Sequence, residues 1–389
     1  MDQNETRKVI LFVDMSRAYG RGLIKGFVKY SQMHGPWRIY HQFPSYSNKS
    51  VKEYDIEKFD IDGVFIADIY ADVQNVQAIK DSGKVIIVKG VDQIIEGIPN
   101  VVSENEAIGR LAAEHFISKG FKNFAYCGFS GIKWSKMRGA SFQNHLEAKG
   151  FSVAKIEFPE EALAVAQEEN NIAQWIMDLP KPVAILASND ERGRQIVDIC
   201  DKLTPYNVPS DIAVLGVDDD ELVCEMTNPP LSSISRNFEK GGYEAAETMD
   251  RIFKGEKLDN AVMTVEPIQV VSRQSTDVVA VEDNVIAAAI TFISRSYRQV
   301  ISVEDVAKEV AVSRRSLERK FKSNIGRTVL EEIHRHKNEQ VVKYLTETNM
   351  TIAQIARLLG FANPKSMGRA FKKERGISPQ QCRYRFSKI

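Results

Sequence analysis

No apolar run in this 389-residue sequence approaches the roughly 18 residues that a membrane span needs. The apolar stretch near the start, Val9–Val13, is too short for a secretory signal, so a cytoplasmic protein without membrane contact is expected. Cysteine is scarce. Cys127, Cys200, Cys224 and Cys382 form no C-x-x-C pair and stand beside no histidine at metal-ligand spacing. That excludes a disulfide scaffold and a zinc module, and predicts reduced thiols in or near the core. His334 and His336 fall on different helical faces, which argues against a metal site. Gly20-Arg21-Gly22 follows an apolar run but lacks the third glycine and the later acid of a dinucleotide fingerprint. No Ser-His-Asp set or supported carboxylate pair is evident, so neither hydrolysis nor group transfer is expected, and no cofactor.

Net charge is missing too, with 52 basic and 52 acidic residues, but the balance hides a split. Residues 281–389 hold 21 Lys and Arg against 11 Asp and Glu, so the remainder is acidic by the same margin. A basic module tied to an acidic body points to a polyanion partner for the first and keeps the second away from it.

What the first 276 residues do have is alternation. Short β-branched runs (Val9–Val13, Gly63–Ala67, Val85–Val88, Asn123–Cys127, Val183–Ala187, Ile212–Val217) read as strands. Amphipathic stretches between them read as helices, near Gly22–Gln32, Val73–Asp81, Asn105–Lys119, Arg138–Lys149, Ala164–Met177, Arg192–Leu203 and Gly241–Phe253. This βαβα order predicts parallel sheets covered on both faces. About eight strands over this length fit two Rossmann-like lobes better than one sheet. Ligands of such sheets sit beyond the carboxyl ends of strands. The residues there are Asp14, Asp68, Lys89, Gly128, Ser188-Asn189-Asp190 and Asp218-Asp219-Asp220. Several are acidic, which suits a neutral polyhydroxyl ligand, because carboxylates accept strong hydroxyl hydrogen bonds and repel phosphate.

The last hundred residues read as two helix-turn-helix units, Ile301–Phe321 and Met350–Phe371. Each has an apolar-periodic helix, a short turn and a second helix rich in cations, the order needed to enter a DNA groove. On the first cationic helix, Arg314 leads and Arg315, Glu318, Arg319 and Lys322 share an exposed face, while Leu317 and Phe321 face the core. Arg315 and Arg319 are candidates for guanine edges. Glu318 either accepts from cytosine or holds an arginine. On the second, Asn363, Lys365, Ser366 and Arg369 line the corresponding face, and Lys372 suits phosphate. Asn363 is alternatively a helix cap ahead of Pro364. Gly368 is unusual inside such a helix, where it costs about 1 kcal/mol against Ala.

Several segments carry a resemblance. Tyr19-Gly20-Arg21 with Gly26, Arg138–Phe142, Ser188-Asn189-Asp190, Val208–Asp219 and Leu231–Ala246 resemble the LacI/GalR-type effector domain, built like a periplasmic sugar-binding protein. Residues 286–389, closing on FKKERGISPQQCR, resemble the AraC-type DNA-binding domain. Sensor first and AraC-type module last resembles the xylose-operon class of regulators over nearly the full length. The resemblance implies an α/β two-lobed, periplasmic-binding-protein-like effector domain (1–276), a linker (277–285) and an all-α tandem helix-turn-helix domain (286–389). It implies effector contacts at Arg138, Asp190 and Asp218, with Arg236, Asp14 and Trp134 as further candidates. Asp190 is alternatively a helix cap, Asp14 a turn former, and Trp134 either a stacking platform for a sugar ring or interlobe packing. The implied function is sugar-responsive activation of transcription, with a double-stranded DNA operator, a free monosaccharide (D-xylose favoured), RNA polymerase and a second copy of the chain as partners. The competing reading is a sugar- or nucleotide-processing enzyme with a DNA-binding tail.

Overall fold

The β-branched runs pair into two sheets, and the computed structural model describes residues 6–41, 60–67, 73–90, 94–159, 165–278, 280, 283–296 and 299–386. In the first lobe lie β1 (Arg7–Phe12), β2 (Trp37–His41), β3 (Gly63–Ala67), β4 (Val85–Lys89) and β5 (Asn100–Ser103). In the second lie β6 (Asn123–Phe129), β7 (Val153–Phe158), β8 (Val183–Ala187), β9 (Ile212–Asp218) and β10 (Ser232–Arg236). The chain then returns β11 (Val262–Val265) to the first sheet and β12 (Pro267–Val271) to the second. The spatial orders are β11-β5-β4-β3-β1-β2 and β12-β10-β9-β8-β6-β7. Every pairing is parallel except β10 with β12. Central strands such as β3 and β8 are buried along their whole length, which is why they read as continuous apolar runs.

Helices α1 (Ala18–His34) and α2 (Val73–Asp81) cover the first sheet. The second lobe carries α3 (Asn105–Ser118), α4 (Lys133–Glu147), α5 (Val165–Asp178), α6 (Asp190–Leu203) and α7 (Glu221–Met226), and α8 (Phe238–Phe253) returns to pack on α1. Close approach there depends on small residues: a Cβ on Gly26 would lie 2.0 Å from the Glu239 carbonyl oxygen, and one on Gly242 1.9 Å from that of Leu23. The chain crosses between lobes at Ser103–Asn105, Arg236–Phe238 and Val265–Pro267. The crossings bond to one another, Glu104 N to Val265 O at 3.1 Å and Asn237 N to Glu266 O at 3.2 Å.

The helical domain contains α9 (Asn284–Arg295), α10 (Val303–Glu309), α11 (Arg314–Ile325), α12 (Val329–Glu347), α13 (Ile352–Leu358), α14 (Pro364–Arg375) and α15 (Pro379–Phe386). Its two halves repeat one plan. Ser302 and Thr351 cap α10 and α13 through capping boxes, Ser313 and Asn363 cap α11 and α14, and Gly326 and Gly376 end them in left-handed conformation. The helix-turn-helix turn needs a positive φ in both units. Gly360 supplies it at 65°, whereas Ala311 holds 54° against its own Cβ. Each half has its own core, around Leu317 and Phe321 in one and Met367 and Phe371 in the other, all fully buried.

The described residues of the expected linker are held at both ends. Val278 and Ala280 pack against the second lobe, and Ala280 N donates to Lys119 O at 2.8 Å. Asp283 caps α9 and pairs with Lys320 of α11. All four cysteines are free and buried, as expected, and burial pushes the Cys127 and Cys200 thiols up to about 12.

Candidate functional site

The carboxyl ends of both sheets face a cavity of about 840 Å³, within the range of small-molecule sites. Arg138, on the first turns of α4, is 3% exposed. Its Nε donates to Asn105 Oδ1 at 3.1 Å, its Nη1 to the Ser188 carbonyl, and its Nη2 lies 3.5 Å from Asp218 Oδ1. Burial pulls its pKa down to about 10, against the opposing pull of Asp218. Arg236, at the end of β10, donates from Nη1 to the same Asp218 Oδ1 at 2.9 Å and from Nη2 to Ser103 Oγ. One carboxylate thus orients two buried guanidinium groups. Each also lies over an aromatic ring, Arg138 over Trp134 and Arg236 over Phe238, both at 4.6 Å.

Asp218 sits at φ 106° and Asp219 at φ 53°, outside the comfortable region for residues with a Cβ. Such strain costs on the order of 1–3 kcal/mol and persists where surrounding contacts over-determine it. Here Ser233 Oγ accepts from Asp219 N at 3.0 Å, and Arg273 pairs with the Asp219 carboxylate at 2.9 Å.

Of the sequence candidates, Asp14, Trp134, Arg138, Asp218 and Arg236 reach the cavity wall. Asp14 also accepts from Ser16 N at 2.8 Å and Ser16 Oγ at 2.7 Å, so the turn reading describes its present bonds. Trp134 packs edge-on against Phe129 and has Arg138 over its ring.

Asp190 is not among the residues lining the cavity, and its present bonds are those of a supporting residue. It is 1% exposed, and its oxygens accept from Asp220 N at 2.7 Å and Ser233 Oγ at 2.5 Å. Burial, then the charge of Asp218, push its pKa well above the carboxylate range. The cap of α6 is its neighbour Asn189, which accepts from Arg192 N at 3.0 Å and does line the cavity. Asp190 in turn positions Asp220, whose Oδ2 reaches across the lobes to Ala18 N at 3.0 Å and Arg21 Nη2 at 2.7 Å.

Lys89, Ser103, Asn105 and Phe238 also line the cavity. Lys89 stood at a strand end in the sequence without being singled out. Ser103 lies on a four-residue strand, too short to show a period, and Asn105 was read only as the start of a helix. Asp68 lies outside the described residues.

The second candidate surface is cationic. Arg314, Arg315, Arg319, Lys365, Arg369 and Lys372 are exposed on α11 and α14. Three polar residues of the expected reading face are spent on the fold. Glu318 accepts from Val329 N at 3.4 Å, at the start of α12, rather than holding an arginine. Asn363 accepts from Ser366 N at 2.8 Å, so the capping alternative describes its present bond, and Ser366 Oγ donates back to the Asn363 carbonyl at 2.7 Å. Lys322 folds back to the Gly326 carbonyl at 2.9 Å, and Arg314 pairs with Glu304. A Cβ on Gly368 would meet nothing within 4 Å, so its helix face is open. Among the described residues no metal-binding cluster occurs, and no helix is long and apolar enough to cross a membrane.

Residues 113–276 match the periplasmic binding protein-like domain, and residues 306–385 the helix-turn-helix domain. The xylose operon regulatory protein of Escherichia coli K12 is 29% identical over 97% of this chain and 96% of its own length. That of Haemophilus influenzae is 26% identical over 97% and 98%. Among solved structures, a xylose-binding transcription activator matches with a TM-score of 0.62 at 26% identity, covering 98% of this chain and 99% of the other. A cellobiose complex of the regulator CelR matches with a TM-score of 0.56 at 19% identity over 71% of this chain and 86% of the other, a likeness of fold alone.

Proposed function

We propose that this chain, a sugar-responsive DNA-binding transcription regulator joining a periplasmic-binding-protein-like sensor to an AraC-type helix-turn-helix module, is switched by a free monosaccharide bound between its lobes, with D-xylose the first candidate. The relatives it matches are regulators of transcription, so the enzyme reading is set aside. The observation that carries the proposal is the Arg138–Asp218–Arg236 cluster at the strand ends. Guanidinium groups donate to sugar hydroxyls and Asp218 accepts from them, and such charge-assisted bonds are roughly twice as strong as neutral ones. Sugar favours the closed lobes, and closure shifts the DNA module only to the extent that sugar binds the two arrangements differently. The chain acts in the cytoplasm as a homodimer that activates transcription through RNA polymerase.

Calorimetric titration of the full chain with free pentoses and hexoses tests the ligand. A micromolar heat with D-xylose is expected. Asp190→Ala should weaken it through Asp220 and the interlobe bonds, with a fall in thermal stability that accompanies the loss. Binding of another sugar alone would replace the ligand, and silence across the panel would sink the sensor reading.

For DNA, α12 spans 19 residues, about 28 Å at about 1.5 Å per residue, and sets the two units apart. The proposal places α11 and α14 in successive major-groove segments roughly 34 Å apart on one face of the duplex. Arg315→Ala and Arg319→Ala should each cost about 1–3 kcal/mol of discrimination at one base position. Lys372→Ala should instead weaken all sequences alike and lower the salt slope by about one unit. Binding assays on operator and scrambled DNA at several salt concentrations separate these outcomes. An Arg319→Ala protein with unchanged sequence preference would remove that residue from the reading face.

A further inference from the structure

The helical domain docks on the second lobe at the far end of α3 from the cavity. Arg327, just before α12, donates from Nη2 to the Ser118 carbonyl at 2.9 Å, at the last residue of α3. The next carbonyl, Lys119 O, accepts from Ala280 N of the linker. Carbonyls at a helix C-terminus lack intrahelical partners and carry the negative end of its dipole, so a cation there is favoured. Arg327 also pairs with Glu332, which has no solvent exposure and is shared with Arg335 and His336. A second contact lies nearer the cavity end of the sheet, where Ile268 of β12, beside Ser235–Arg236 of β10, packs against the core of the second helix-turn-helix unit.

At its other end α3 begins with Asn105, which accepts from Arg138 in the cavity, two residues after Ser103, which accepts from Arg236. Fourteen residues separate cavity from clasp as one helix, about 21 Å long. Its middle is fixed to the second lobe by Ile108, Ala112 and Phe116, all fully buried.

We infer that α3 is the element that carries cavity occupancy to the DNA-reading module, with Asn105 as its input and the Arg327–Ser118 clasp as its output. Rearrangement of Arg138 and Arg236 around a ligand moves the start of α3 at the lobe crossing. The clasp obliges α12 to follow, because a buried network of charges has few alternative registers. Arg327 is a positioning residue: it touches neither ligand nor DNA.

The inference rests on the sensor reading of the cavity, but its test uses neither ligand nor operator, so a wrong sugar leaves the outcome intact. Hydrogen–deuterium exchange is measured on the full chain over residues 326–336. Asn105→Ala is expected to change exchange there at least about fivefold in the otherwise native chain, and by less than about twofold when Arg327→Ala is already present. Arg327→Lys, which keeps a cation for the Ser118 carbonyl, should restore part of the response. An Asn105→Ala chain with native exchange over 326–336, or effects that simply multiply in the double variant, overturns the inference. Should Asn105→Ala fail to fold, Asn105→Asp takes its place under the same criterion.

Discussion

Asp218→Asn is expected to lower affinity at least about hundredfold for whichever sugar of the panel binds, and to lower thermal stability as well. The substitution keeps the side chain's shape and a residue type that tolerates positive φ, so backbone strain changes little. What it removes is the charge that Arg138 and Arg236 share. Both arginines are under 10% exposed, and two cations left facing each other repel. Removing one partner of a buried hydrogen-bonded charge pair costs about 2–5 kcal/mol, and about 1.4 kcal/mol is tenfold in affinity. Asp14→Asn is the comparison variant: it removes a cavity-wall carboxylate that bonds to Ser16 rather than to an arginine, so it leaves no buried guanidinium unpaired and should cost less affinity. Calorimetry on both variants decides: Asp218→Asn binding within threefold of native would remove the cluster from the ligand site.

Glu332→Gln should have the largest effect on the fold, lowering the stability of the helical domain by about 3–5 kcal/mol. Glu332 is fully buried on α12 between Arg327, Arg335 and His336. Burial alone would raise its pKa, but Arg335, the hydrogen bond from His336 and Arg327 outweigh it and hold the carboxyl well below the usual range. A depressed folded pKa means that the stability is present above the unfolded value of about 4.3 and is lost as pH falls through the folded one. Urea midpoints should therefore drop as pH falls below about 4.3 in the native chain, and more shallowly in Glu332→Gln. The neighbouring Glu331→Gln alters only an exposed capping box with Thr328 and should cost about 1 kcal/mol or less. Equal midpoints for the two variants would refute the buried-network account.

The elements best read from sequence were those whose local pattern and tertiary role agree. Strands β3 and β8 and helix α2 have the predicted bounds because an unbroken apolar run or a clean amphipathic stripe admits one interpretation. Edge strand β2, with the sequence WRIYH, is half exposed and short of apolar contrast. Strands β5 and β11 have four residues each, too few to show a period. These account for much of the difference between about eight expected strands and the twelve found among the described residues. Asp218 was visible because a strand end and a family pattern both mark it, whereas Arg138 and Arg236 were marked by the family pattern alone. The inward turn of Asp190 was not visible, since it depends on Ser233 and Asp220, 43 and 30 residues away in sequence. Glu318 looked like part of a reading face by spacing alone, yet its carboxylate is taken by Val329.

The repeated plan of the helical domain has a directional consequence. Residues 313–326 and 363–376 align one to one at an offset of fifty, with Leu317 and Phe321 opposite Met367 and Phe371 in the cores but different residues outside them: Glu318 opposite Gly368, Lys320 opposite Ala370, Ser323 opposite Lys373. Two identical units related by a two-fold axis across the duplex would read a site the same way from either end. These two do not, so one chain carries a head and a tail along the duplex. A promoter bearing the binding site inverted, at the same distance from the start of transcription, would present the sensor on the wrong side. Orientation of the operator is thus written into the chain itself, without help from the symmetry of an assembly.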